Sequence, residues 1–393
     1  MRILLLSYYF PPTGGPGAVR WARLLEHFPK HYQVDIISVD NVNHPVLDEK
    51  LLDRIPDRFN IYRSKSPERF LRKGKGSYLR IGKSHNLFLP DSKFWWIGRA
   101  SRIAKENGDY DIIIATAPPF SALVAASKIA LKFDIPFIAD MRDSYLLDPN
   151  PPKPGNFFSK QKERIFYKYI QKASAIIAVN PMVQKEMRFR IRFKKPTFFI
   201  PNGIVPIDEP KSPAKMTIAM AGRFFGNLNF PENLFHALGL LKDSGRDFSM
   251  RFLGPADQRL YDYIEKLGLE DYIEITGSLT HDEIIQELSG ASVLFTYLDD
   301  RPGNSRQIQS KIWDYLGIGK PIVAVVPKLS PGAEIIRKYN AGIVAKDSPD
   351  DIAAAIEKSH GKIPQIPQDI SWRDRAKQYC EIIEKLIISF EEN

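Results

Sequence analysis

The sequence predicts an α/β protein of two tandem Rossmann-like domains, residues 1–204 and 205–371, followed by a long helix over 372–393. Three observations carry this. At 393 residues the chain exceeds a single ordinary core, since domains run to about 100–200 residues. Short apolar runs rich in Ile, Val and Phe alternate with helix-length segments in both halves, and fully apolar strands separated by helices form a parallel sheet covered on both faces. Between the two series lie residues 201–213, with four prolines and few periodic apolar residues, which read as a linker.

The first half places strands over 2–7, 33–39, 112–115, 137–140, 175–178 and 197–200, with helices over 17–28, 120–133 and 160–172. The series restarts with strands over 216–221, 249–253, 273–276, 293–297, 322–326 and 342–345. Helices over 231–244, 258–267, 281–288, 309–316, 332–339 and 350–359 separate them. The closing helix carries one apolar stripe, Tyr379, Ile382, Ile383, Leu386 and Ile387.

Composition narrows the class. Hydrophobic residues at 44% and charged residues at 26% are the mix of a soluble globular protein and exclude wholesale disorder. The single cysteine, Cys380, excludes a disulfide framework and a cysteine-rich zinc site, and points to a reducing, cytoplasmic setting. The apolar run at residues 1–6 is too short for a signal peptide, and no stretch reaches the roughly 18–20 apolar residues of a membrane span. Residues 1–204 hold 34 Lys and Arg against 18 Asp and Glu, whereas the remainder holds 22 against 28. That asymmetry directs nucleic acid, an anionic membrane surface or a phosphorylated substrate to the first half alone. Residues 63–83, densely basic with a single acid, read as an exposed loop, and Phe94-Trp95-Trp96-Ile97 as an interfacial aromatic patch.

In a parallel α/β sheet, ligands bind beyond the carboxyl ends of the strands. The first strand runs into Tyr8-Tyr9-Phe10-Pro11-Pro12-Thr13-Gly14-Gly15-Pro16-Gly17, whose glycines let backbone amides approach an anion at a helix start, with Arg20 one turn further on. The spacing is not GxGxxG, so no dinucleotide fingerprint is present. Asp140-Met141-Arg142-Asp143 follows a buried strand, where charges are costly unless they face a cleft or pair with one another. Either an internal Asp–Arg bridge shapes this loop, or Asp140 or Asp143 faces the reacting centre while Arg142 holds the loop. In the second half, Gly222-Arg223-Phe224-Phe225-Gly226-Asn227 reads as a pyrophosphate cradle. Lys311 and Asp314, three apart on one helix face, precede Gly319-Lys320-Pro321 and a buried strand.

In this order the motifs resemble the GT-B glycosyltransferases, in particular the retaining, family-4-like group that uses nucleotide-sugar donors. Ile200-Pro201-Asn202-Gly203, Thr276-Gly277-Ser278-Leu279-Thr280-His281 and Ser310-Lys311-Ile312-Trp313-Asp314-Tyr315-Leu316 add to the resemblance. It implies an interdomain cleft, a donor bound mainly by the second domain, an acceptor bound mainly by the first, and a closing helix that crosses back to the first domain. It implies donor contacts from Gly14, Gly15, Arg223, Asn227, Leu279, Arg306, Ser310, Lys311 and Asp314. Arg223 and Lys311 match the diphosphate cations, and Asp314 matches the ribose-binding carboxylate of the family's E-x7-E motif. The first carboxylate of that motif falls at Arg306, a cation, so the transferred sugar is expected to be held differently.

The expected reaction is transfer of a sugar from a nucleoside diphosphate sugar to a hydroxyl of a glycan or lipid-linked acceptor, with retention, in cell-surface polysaccharide or glycoconjugate synthesis. Preorganised cations and amides stabilise the leaving diphosphate, with Lys311 foremost, and Asp140 or Asp143 orients or deprotonates the acceptor hydroxyl. Asp299-Asp300 lacks Asp-x-Asp spacing, so no metal and no cofactor are expected. The basic first half fits an acceptor on an anionic bilayer, each cation near such a surface contributing about 1 kcal/mol. Arg72, Lys73, Lys75 and Arg80, together with Arg20, Arg142, Trp95 and Trp96, are the expected acceptor and membrane contacts, giving peripheral attachment. Nucleic acid is not an expected partner, as no recognised binding module appears. A nucleotide-sugar epimerase on the same fold and a catalytically degenerate binding scaffold are the alternatives.

Overall fold

The computed structural model describes residues 1–40, 47–65, 90–144, 157–207, 213–222, 230–301 and 304–392. They form two compact units, Met1–Asn202 with Trp372–Asn393, and Gly203–Ser371.

The first unit contains β1 (Arg2–Leu6), α1 (Pro16–Glu26), β2 (Gln33–Val39), β3 (Asn60–Ser64), α2 (Trp96–Glu106), β4 (Ile112–Ala117), α3 (Ser121–Phe133), β5 (Phe137–Met141), α4 (Phe157–Ile170), β6 (Ala175–Ala178), α5 (Pro181–Phe189) and β7 (Thr197–Phe199). The strands form one parallel sheet in the order β3-β2-β1-β4-β5-β6-β7, so the order reverses between β1 and β4. Both faces are covered. Leu4 and Leu6 join Ile37, Val39, Ile113 and Ala115 in one core, while the intervening Ile3 and Leu5 are equally buried on the other side.

Three elements go beyond the sequence expectation. β3 is a polar edge strand, and its Arg63, expected in the basic loop, donates to Ser38 Oγ at 3.1 Å and to the Pro11 carbonyl. α2 buries Trp96, Ala100 and Ala104 at a spacing of four. Trp96 is therefore core, packed edge-on against Tyr8 at 5.4 Å, which corrects its expected interfacial role. Trp95 is half-buried, with the Arg99 guanidinium 4.8 Å from its ring centroid. α5 opens with Asn180, whose side chain accepts from Met182 N at 2.8 Å, followed by Pro181.

The second unit contains β8 (Met216–Ala221), α6 (Glu232–Asp243), β9 (Phe248–Leu253), α7 (Gln258–Lys266), β10 (Ile273–Ile275), α8 (His281–Ser289), β11 (Val293–Tyr297), α9 (Lys311–Ile318), β12 (Ile322–Val325), α10 (Pro331–Lys338), β13 (Gly342–Val344) and α11 (Pro349–Ser359). Its parallel sheet runs β10-β9-β8-β11-β12-β13, reversing between β8 and β11. Alternate residues of β8 feed different cores, Ile218 and Met220 one face, Ala219 and Ala221 the other. The closing helix α12 (Trp372–Glu391) belongs to the first unit, burying Tyr379, Cys380, Ile382 and Ile383. No described helix is long and apolar enough to cross a membrane.

Candidate active site

In the second unit the strand order reverses between β8 and β11, the place where open α/β sheets bind ligands. β8 ends there at Ala221, and the first turns of α9 grip it. Lys311 Nζ donates to the Ala221 carbonyl at 2.8 Å. One turn on, Tyr315 OH accepts from Ala221 N at 3.0 Å and donates to the Phe295 carbonyl at 3.2 Å. Gln309, just ahead of the helix, accepts from Thr296 Oγ1 at 2.6 Å and donates to the Tyr297 carbonyl at 2.9 Å. The two strand ends are thus fixed to each other through one helix.

Lys311 forms no carboxylate ion pair among the described residues, and burial lowers its pKa to about 8. Asp314 lies on the same helix, its Oδ1 3.4 Å from Nε2 of His281, the first residue of α8. A capping box holds that helix start: Thr280 Oγ1 accepts from Glu283 N, and the Glu283 carboxylate accepts from Thr280 N at 2.8 Å. The floor is bare backbone, because a methyl at Gly254 would overlap the Gly222 carbonyl, and Gly254 has φ +145°. Gly254→Ala should cost on the order of 1–3 kcal/mol, read as a lowered melting temperature. A cation, a carboxylate and a side-chain-free floor at one sheet edge suit a ligand with an anionic group and hydroxyls.

The other expected donor contacts are dispersed. Ser310 is half-buried at the N-cap of α9, Leu279 packs partly buried against the core, and Arg306 is exposed on a 3-10 turn at Asn304–Arg306. Arg223 and Asn227 lie outside the described residues, as do Arg72, Lys73, Lys75 and Arg80. Gly14 and Gly15 belong to the first unit, Gly15 capping α1 at φ +101°.

At the β1/β4 reversal of the first unit, Arg142 N donates to the Ala117 carbonyl at 2.9 Å and its guanidinium to the Pro118 carbonyl. The same guanidinium lies against Gly17, where a methyl would overlap it, so the glycine at the start of α1 provides its seat. Asp143 is exposed, yet crowding by surrounding protein raises its pKa while Arg142 pulls it down. Asp140 is different. It is fully buried and accepts from Thr116 Oγ1 at 2.8 Å, Trp21 Nε1 at 3.2 Å, Arg20 Nη2 at 3.3 Å and Tyr379 OH at 2.6 Å. All its oxygens are committed, so the expectation of a base at Asp140 is corrected to a buried anchor. Arg20 is corrected with it: it is 1% exposed, also bonds the Ile200 carbonyl, Asn202 Oδ1 and Tyr379 OH, and is withdrawn from any membrane or acceptor. Burial works against its charge, but Tyr379 and Asp140 more than restore it and raise its pKa.

Residues 13–206 match the family described as Glycosyltransferase Family 4, and residues 215–360 match Glycosyl transferases group 1. The chain is a GT-B glycosyltransferase. Its fold resembles sucrose-phosphate synthase from Thermosynechococcus elongatus, at 14% identity over 100% of this chain and 97% of that one, with a TM-score of 0.63. It also resembles a putative UDP-N-acetylglucosamine 2-epimerase from Listeria monocytogenes, at 13% identity, 100% and 97% coverage and a TM-score of 0.64. A third similar structure is Anabaena HepE in complex with UDP and glucose, at 16% identity, 99% and 97% coverage and a TM-score of 0.57. No curated protein sequence matches the chain.

In this glycosyltransferase the roles of Gln309, the two hydrogen bonds of the Tyr315 hydroxyl to Ala221 and Phe295, the Gly254 floor and the pairing of His281 with Asp314 were not evident in the sequence. The four-residue spacing of Lys311 and Tyr315 was the available signal, since it places both on one face of α9.

Proposed function

We propose that the glycosyltransferase moves a sugar from a nucleoside diphosphate sugar to a hydroxyl of a glycan or lipid-linked acceptor, with retention, in cell-surface polysaccharide or glycoconjugate synthesis. The observation that carries this is Lys311, a half-buried ammonium at the β8/β11 edge with no carboxylate ion pair among the described residues and Asp314 one turn along. Lys311 takes the diphosphate, stabilising the charge that builds as the glycosidic bond breaks. Asp314, steadied by His281, accepts hydrogen bonds from the ribose hydroxyls. Arg223, Asn227, Leu279, Arg306 and Ser310 complete the donor contacts. Asp143, exposed just beyond β5, orients the acceptor hydroxyl, and Arg142 holds its loop. The reaction is proposed to need no metal. The acceptor is carried on an anionic membrane surface, met by Arg72, Lys73, Lys75 and Arg80 with Trp95.

Thermal-shift titration with UDP, GDP, ADP and their sugars tests the donor site, since a ligand of the folded state raises its stability. Asp314→Ala should weaken the stabilising nucleotide by roughly 10–100-fold, the worth of one or two hydrogen bonds to a charged group. Unchanged affinity removes Asp314 from the ribose. The likeness in fold to epimerases favours a second reading, conversion of the donor alone. Isomeric nucleotide sugar formed without acceptor would establish it, and acceptor-dependent release of nucleoside diphosphate would exclude it.

A further inference from the structure

In the first unit, α2 and α3 leave between them a groove of about 510 Å³, lined by Phe94, Ile97, Lys105, Lys128, Lys132 and Phe133 among others. The lining combines apolar side chains with three lysines. Phe94 is 42% exposed, and Leu131, next to Lys132, is 65% exposed. The three lysines are exposed and form no carboxylate ion pair among the described residues. The Lys105 ammonium beside Lys132 disfavours a second positive charge there and lowers the pKa of Lys132. Two ammonium groups this close repel, and an anion seated between them removes that cost. Lys105 and Lys132 lie at the ends of α2 and α3, just ahead of β4 and β5, so these cations sit toward the amino edge of the sheet. The strand-end motifs of the first unit, Gly14-Gly15 after β1 and Arg142-Asp143 after β5, lie at the opposite edge of that sheet.

We propose that this groove docks an anionic phospholipid of a bilayer surface, its phosphate among Lys105, Lys128 and Lys132 and its aliphatic part against Phe94, Ile97 and Phe133. The apolar part of the lining selects a lipid over free phosphate, for which the lysines offer the main contacts. The inference deepens the membrane reading above but uses none of the basic-loop residues. Its test reads binding without sugar transfer, so its failure leaves the transfer reading standing.

The test is flotation of the full chain with phosphatidylcholine vesicles, with and without phosphatidylglycerol, at low ionic strength. Binding should require the anionic lipid. Lys105→Ser, Lys128→Ser and Lys132→Ser combined should weaken it on the order of 100-fold, whereas the three Lys→Arg changes keep the charge and the binding. Phe94→Ser alone should weaken it by about fivefold through lost apolar contact. A triple serine variant that melts like the parent and still binds within about twofold overturns the proposal. So does a parent whose melting temperature rises with inorganic phosphate while it ignores the vesicles.

Discussion

Lys311→Ala is expected to lower kcat/KM for the donor by about 10²–10³-fold, the usual loss when one preorganised donor to developing charge is removed. The fold should survive, because the bond to the Ala221 carbonyl is worth about 1–3 kcal/mol and Tyr315 still ties Ala221 to β11. Lys311→Met, which keeps the aliphatic stem, should be as inactive and more stable. Turnover near that of the parent in either variant removes Lys311 from the reaction. The pH dependence separates binding from stability. With its pKa lowered to about 8, free Lys311 loses its proton in mild alkali, so kcat/KM should fall about tenfold per pH unit above about 8. Folding responds in the opposite sense. A lysine whose folded pKa lies below its unfolded one penalises the fold at neutral pH, and this penalty lifts as pH rises from about 8 toward the unfolded value. Rising stability with falling donor use is the expected signature, and parallel trends would contradict it.

Asp140→Ala is expected to destabilise the first unit by about 3–5 kcal/mol, because it leaves the Arg20 guanidinium buried without its counter-charge. Denaturant unfolding measures this directly, and Tyr379→Phe, which removes one donor to Asp140, should cost about 1–3 kcal/mol by the same measure. An Asp140→Asn protein that melts like the parent but has lost all transfer would restore Asp140 to the reacting centre.

Asp140 also marks the limit of what the sequence made legible. Its neighbours Met141, Arg142 and Asp143 identified a strand end correctly, but an aspartate facing a ligand and one bonded inside a core look alike in one dimension. The deciding partner, Tyr379, is 239 residues away on the closing helix. Strands such as β1 and β8 were readable because unbroken apolar runs have few other fates. β3 was not, since an edge strand needs few apolar residues, and α2 was obscured because Trp95 and Trp96 suggested a surface patch where Trp96 is core. In the candidate site, Lys311 and Asp314 stood out as an unusual pair at a strand edge. Gly254 did not, because its role is to contribute no side chain against a backbone 32 residues earlier.

The return of α12 to the first unit also sets an order of assembly. Residues 203–371 are contiguous, so during synthesis the second unit has all its strands before α12 exists. The first unit, although begun earlier, lacks Tyr379 until residues 372–393 have been made, and Arg20 and Asp140 face each other without it. Domains commonly close in the order in which they are translated. Here the unit that starts second is equipped to finish first, and the opening half waits, partly unsatisfied, for the last helix to reach it.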